Sequence, residues 1–330
     1  MDELRAQDML RHILKDEDKG KAAFDKLNLS DSFQVLTKLL PSCLDKAMDI
    51  NNKNDIAFFE MMQESFEEEL IDKIKNAKNL WIVYSEVTGY PYMVDSDIIC
   101  FYEFKDNEKI LDRIRETGYS VVLGGENQNS FKEEIAHMYR NGAKNIRFVG
   151  DVSEHYTIAR EKFYEYDELM SEDFVSNPAL QSTMINFFQE FKRDVEADIK
   201  DKLLATREDK MINAFVNADY LVPYTSSQNG DVTEIEHPFV DLTNLTSEFP
   251  KDEFVAGLPV FTDGIELEKC YPDSKENMLY SFDELISSIE DVGAHGIVVN
   301  PVGISYFVSL DMLKKFRAKG ETKAKEDTED

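Results

Sequence analysis

Ser130-Phe131-Lys132-Glu133-Glu134-Ile135 and, six residues on, Gly142-Ala143-Lys144-Asn145-Ile146 return without a gap as Ser281-Phe282-Asp283-Glu284-Leu285-Ile286 and Gly293-Ala294-His295-Gly296-Ile297. Seven of the 17 aligned positions are identical, and each identity has a physical use. Ser accepts a backbone N–H at a helix start, Phe and Ile mark the buried face, Gly ends the helix in the left-handed conformation, and the last Ile enters a strand. Upstream, Leu80-Trp81-Ile82-Val83-Tyr84 has a counterpart in Tyr220-Leu221-Val222-Pro223-Tyr224. The return of the same signals in the same order predicts two copies of one mixed-sheet α+β module, at residues 70–150 and 211–316.

Working outward, residues 1–69 read as a helical N-terminal region: Met9, Ile13 and Leu14, then Phe33, Leu36, Leu39 and Leu40, recur at three- and four-residue spacing. Within the first copy the spacing predicts strands at Leu80–Tyr84 and Ile98–Phe101. A helix follows from Lys105 to Thr117, ended by Gly118, and a strand from Tyr119 to Leu123. Between the copies, residues 151–210 read as a helical connector, with Leu180, Met184, Phe187, Phe188, Phe191, Val195, Ile199 and Leu203 on one long stripe after Pro178. The tail 317–330 has no apolar anchor larger than Ala and is expected to be disordered.

The chain has 330 residues, 37 Lys plus Arg against 66 Asp plus Glu, and a formal charge of −29. Such a field repels nucleic acid, while 42% hydrophobic and 11% aromatic residues exclude a disordered acidic chain. The excess is uneven: residues 70–150 hold 12 acids and 11 bases, whereas 211–316 hold 18 acids and 5 bases, all Lys, a net −13. Without Arg, the second copy lacks a bidentate fork for carboxylate or phosphate; Arg113, Arg115, Arg140 and Arg147 give the first copy that means. Cys43, Cys100 and Cys270 form neither a disulfide framework nor a zinc knuckle, which predicts a reducing, cytoplasmic setting. No apolar run suits an export signal or a membrane span, so no membrane partner is expected.

No nucleophile elbow, phosphate loop or metal-ligand spacing occurs; Gly124-Gly125 lacks a Lys, and Asp95-Ser96-Asp97 lacks the later Glu of a calcium loop. The expectation is a non-enzymatic protein without a cofactor or metal. Leu258-Pro259-Val260-Phe261-Thr262-Asp263 reads as a strand leading to a helix capped by Thr262 or Asp263, and Gly296-Ile297-Val298-Val299-Asn300-Pro301 as a strand closed by a turn. If the two strands are parallel, their ends present Phe261, Thr262, Asp263 and Asn300 at a common edge, where a partner or a polar ligand could dock.

Those two stretches, with Tyr220-Leu221-Val222-Pro223 and Ser281-Phe282-Asp283-Glu284-Leu285, resemble the SseB N-terminal domain family over about residues 205–316. The copy at 70–150 is similar to a degenerate second version, with Tyr102-Glu103-Phe104 near the phenylalanine–threonine position and Val149-Gly150 at the asparagine–proline position. The resemblance implies an α+β domain of bacterial type without catalytic residues, cofactor or substrate. The expected function is a binding or scaffold protein acting through contacts with a protein partner. The alternative is a sensor of a small polar metabolite, an amino acid being suggested only by the family's association with serine sensitivity.

Overall fold

The computed structural model describes residues 1, 3–14, 16–102, 107–124, 130–151, 154–171, 174–229, 232–243, 254–272 and 276–329, with residues 3, 151, 154, 232 and 321–329 described in backbone alone. Glu103, Phe104 and Gly125 lie outside that set. The fold is α+β. Five helices come first, α1 (Glu3–Ile13), α2 (Glu17–Asp25), α3 (Leu29–Gln34), α4 (Leu40–Asp49) and α5 (Lys53–Lys75), with a π-turn at Val35–Leu39. Their apolar stripes do not form a separate core: Phe24, Phe33, Leu36, Met62 and Phe66 are buried in one cluster with Ile82, Ile98, Ile146 and Phe148 of the first sheet. A fully buried Phe contributes about 1.5–3 kcal/mol, so this layer and the first module stabilise one another.

The first module comprises β1 (Trp81–Ser85), β2 (Met93–Val94), β3 (Asp97–Phe101), α6 (Asn107–Glu116), β4 (Val121–Leu123), α7 (Phe131–Asn141), β5 (Asn145–Asp151) and β6 (Glu154–Ala159). The strand order is β4-β1-β3-β5-β6, with β2 beside β3. A short 3-10 turn, α8 (Tyr166–Leu169), α9 (Pro178–Phe191) and α10 (Ala197–Val216) lead to the second module. That module holds β7 (Asp219–Pro223), β8 (Thr225–Asn229), β9 (Val232–Glu236), β10 (Val240–Asp241), β11 (Ala256–Val260), α11 (Gly264–Cys270), β12 (Asn277–Ser281), α12 (Phe282–Val292), β13 (Gly296–Val299) and β14 (Tyr306–Ser309), followed by α13 (Leu310–Glu329).

The two sheets have one topology. β7 pairs with β12 and meets β11 through reciprocal hydrogen bonds between Leu221 and Phe261 at 3.1 and 2.9 Å, which gives the order β12-β7-β11-β13-β14. In each sheet the one parallel pair, β3 with β5 and β11 with β13, joins strands separated by two helices, and the flanking pairs are antiparallel. The repeated motif forms corresponding helices. Ser130 and Ser281 each close a capping box with the Glu three residues on, and Gly142 and Gly293 end their helices at φ +77 and +68. The registers place Phe101-Tyr102 opposite the position of Phe261-Thr262, and Val149 at that of Asn300.

Four stretches differ from the sequence reading. β6 lies inside the expected connector because Tyr156 and Ile158 alternate toward the first core, carrying that module to Ala159. The stripe after Pro178 is two packed helices rather than one: Asp194 N–H bonds Gly118 O at 2.8 Å and Arg193 Nε bonds Thr117 O at 2.8 Å, contacts that hold the break between α9 and α10. The backbone of the tail is helical to Glu329, in keeping with its Ala, Lys and Glu content. Finally, β8 and β9 form an exposed ribbon peculiar to the second module. Among the described residues no helix is long and apolar enough to cross a membrane.

The shared glycines have different surroundings. A Cβ at Gly142 would stand 2.3 Å from Pro178 O, whereas one at Gly293 meets nothing within 4 Å. Gly293→Ala should therefore cost only the left-handed strain of about 1–2 kcal/mol, and Gly142→Ala clearly more. Urea denaturation of the two variants checks the order; equal losses would contradict the close seating of α7 on α9.

Candidate functional site

The parallel pairing of β11 with β13 brings Thr262, Asp263 and Asn300 together, as the sequence predicts, but not at an open edge. Phe261, Thr262, Asp263 and Asn300 are all at most 1% exposed. Phe261 packs with Leu221, Leu267 and the Tyr271 ring. Thr262 N–H donates to Asn300 Oδ1 at 3.0 Å, and the Asn300 amide donates to Thr262 Oγ1 at 2.9 Å and to Gln181 Oε1 at 3.0 Å. Asn300 adopts φ +47, a left-handed conformation that Asn tolerates better than most residues. Asn177, the N-cap of α9, donates to the carbonyls of Asp219 and Thr262. The strand ends are thus covered by α9, which corrects the expectation of a docking edge at these four residues.

What fills the place of a ligand is an arginine of the other module. Arg140, in the last turn of α7, is 5% exposed and reaches two carboxylates that are 1% exposed. Its Nε donates to Asp263 Oδ1 at 3.1 Å, and its Nη2 to Asp263 Oδ1 at 3.0 Å and Glu266 Oε1 at 2.9 Å. Lys269 Nζ adds a bond to Glu266 Oε1 at 2.7 Å. Asp263 also caps α11, accepting from the N–H groups of Ile265 and Glu266 at 2.9 and 3.0 Å. Burial pushes its carboxyl up, against the pull of Arg140 and the capping amide. Charges removed from water in this way stabilise a fold only when every partner is in place.

Beside the cluster is a recess of about 230 Å³ between the modules, lined by Tyr84, Tyr90, Glu134, His137, Gln181 and Lys269 among others. Glu134 is buried and accepts from Tyr84 Oη at 2.6 Å. Burial, then the positive Arg140 and Lys269, push the His137 imidazole down to about 4, so the ring is neutral at pH 7. Arg140 Nη1 lies 2.8 Å from His137 Nδ1, which assigns the ring proton to Nε2. The sequence reading missed these residues, although the repeat carried a signal. Glu134 occupies the place of the buried Leu285, and Arg140 that of Asp291.

A second recess, about 770 Å³, crosses the N-terminal helical layer. Leu44 and Ile71 contribute apolar surface to it, and Glu60, Glu64, Glu67 and Glu68 of α5 line it. Its lining cation, Lys162, is bonded to Glu67, which also accepts from Tyr156 Oη. Met48 of α4, Ile50 just after that helix and Met61 of α5 are 50%, 71% and 39% exposed. Among the described residues no group of three or more His, Cys, Asp or Glu is placed to hold a metal ion.

Arg140→Met leaves two buried carboxylates without their partner and is expected to cost about 3–5 kcal/mol, while Arg140→Met with Glu266→Gln recovers part of that loss. Chemical denaturation of the wild type, both single variants and the double variant checks it; additive losses would contradict the coupling. The unfolded chain protonates His137 near its ordinary 6.5 while the folded chain resists to about 4. Stability from this residue is therefore present above pH 6.5 and lost as pH falls toward 4. His137→Gln should flatten the stability profile in that window; an unchanged profile would contradict a buried neutral ring. Comparison of the chain with protein-family models, with curated proteins and with solved structures finds no match.

Proposed function

We propose that this chain is a non-enzymatic, SseB-like protein of two modules that acts through protein contacts, and that the contact surface is the acidic groove on α5. The supporting observation is the groove itself, an elongated recess in which apolar Leu44 and Ile71 lie among four glutamates. Glu60, Glu64 and Glu68 stand at i, i+4 spacing, where like charges repel by a few tenths of a kcal/mol per pair. A cationic partner relieves that repulsion. From Glu60 to Ile71 the groove follows about three helical turns, roughly 17 Å, the reach of a short amphipathic helix. The partner class is therefore a helix with Lys or Arg on its flanks and apolar residues between them.

The duplicated topology supports the reading of two copies of one module, and the buried state of Phe261 and Asn300 moves the proposed contact away from the strand ends. Fluorescence anisotropy with a labelled basic amphipathic peptide tests the reading. Binding should weaken as salt rises from about 50 to about 500 mM. Replacing Glu60, Glu64 and Glu68 by Gln should weaken it about tenfold, since exposed ion pairs contribute about 0.2–1 kcal/mol each. Equal binding of a charge-reversed peptide, or no loss in the triple variant, would refute the groove as the contact surface.

A further inference from the structure

We infer that the outer edge of β12 is a docking site for an extended, cationic peptide segment of a protein partner, which adds to the second sheet as a further strand. This surface is separate from the groove on α5. The inference starts from the register. Leu221 spends both its main-chain groups on Phe261 of β11, at 3.1 and 2.9 Å, so where it faces Leu279 of β12 the two form a non-hydrogen-bonded pair. The Leu279 N–H and C=O therefore point away from β7. The bond from Tyr224 N–H to Glu276 O, at 3.3 Å, fixes the same alternation from the other end and turns the Asn277 groups outward as well. Among the described residues no strand pairs with β12 on that side. Ser281 ends the unpaired stretch, because its N–H donates to Glu284 Oε2 at 2.9 Å.

Proteins protect such edges with Pro, Lys, a bulge or a covering side chain, since unpaired main-chain groups recruit another strand. The first module does so. Its β4 holds the corresponding edge, and the outward-facing Val121 carbonyl accepts from Arg115 Nε and Nη2 at 3.2 and 3.1 Å. The second module has no arginine, and β12, Asn277-Met278-Leu279-Tyr280-Ser281, holds neither Pro nor Lys and pairs with β7 in unbroken register. Its centre is apolar instead: Leu279 is 49% exposed and stands opposite Leu221, itself buried with Phe261 and Leu267. Side chains two apart on a strand share a face, so Asp219, exposed opposite Ser281, lies on the same side as Leu279. Charge selects the occupant. Residues 211–316 carry a net −13, so a second copy of the chain brings like charge to this edge. A strand with an apolar residue opposite Leu279 and Lys or Arg two positions to either side brings the complementary charge.

The test is fluorescence anisotropy of the full chain with the labelled peptide Thr-Lys-Thr-Val-Thr-Lys-Thr and two N-methylated versions of it, one methylated at Val and one at the Thr that follows. All carry the same charge, so general attraction to an acidic protein does not separate them. An added strand turns the main-chain groups of alternate residues to β12 and the rest to solvent. The expected result is saturable, salt-sensitive binding of the parent peptide. One methylated version should lose about tenfold, at Val in antiparallel and at Thr in parallel pairing, while the other binds as the parent does. Leu279→Lys changes an exposed side chain, so it should keep the urea midpoint near that of the wild type and weaken the parent peptide about tenfold by like charge. Leu279→Pro removes the outward N–H while the ladder to β7 keeps its bonds, and should abolish binding with a cooperative transition retained. Equal binding of the two methylated peptides, or undiminished binding to Leu279→Lys, would overturn the proposal. Loss of binding when Glu60, Glu64 and Glu68 are replaced by Gln would place the peptide in the α5 groove and overturn it too. Dimerisation of the unaltered chain that Leu279→Lys abolishes would put a second copy at the edge and overturn the assignment to a cationic partner.

Discussion

The rest of the structure hangs on a guanidinium taken out of water between two carboxylates. Arg140 of the first module meets Asp263 and Glu266 of the second with all three side chains at least 95% buried. The desolvation of such groups is several kcal/mol per ion and is offset only by good geometry with every donor and acceptor used. Here the geometry is shared with secondary structure. Asp263 receives the guanidinium while capping α11, and Arg140 sits where the dipole of α7 favours a cation. One residue pair thus fixes the end of a helix in one module against the start of a helix in the other, and α9 is clamped between them by Gln181 and Asn177.

The uneven charge of the two halves finds its use in this arrangement. Residues 211–316 contain no arginine, and the acids at their strand ends are met by an arginine from the nearly balanced first half. The same divergence that removed symmetry from the repeat made its copies complementary. In the N-terminal helical layer the acidic excess has another outlet in the α5 groove, where glutamates are left on a partly apolar surface.

Much of the fold was legible because it rests on local signals. Ser and Glu at the helix starts, Gly at their ends and short β-branched runs recur in fixed order, and they gave both modules and the meeting of Thr262, Asp263 and Asn300. What covers those residues was not legible. Gln181 and Arg140 lie 81 and 123 positions from the residues they bind, and no local pattern encodes such a pairing. The apolar stripe likewise continues through Val195, so its break into two helices comes from contacts with Thr117 and Gly118 rather than from helix propensity. The best unused signal was the mismatch between the copies. A glutamate at a position that is leucine in the other copy marks a buried polar group, and the junction recess was built around it.

The central claim is that the buried cluster welds two copies of one module into a single cooperative body. The chain has one tryptophan, Trp81, on β1 of the first module, so its fluorescence reports that module while far-UV circular dichroism reports helices throughout. Equilibrium unfolding in urea followed by both probes on the same samples is the direct test. The account predicts coincident transitions with one midpoint. Two separated midpoints in the unaltered protein, with the fluorescence change complete while part of the helical signal survives, would contradict it.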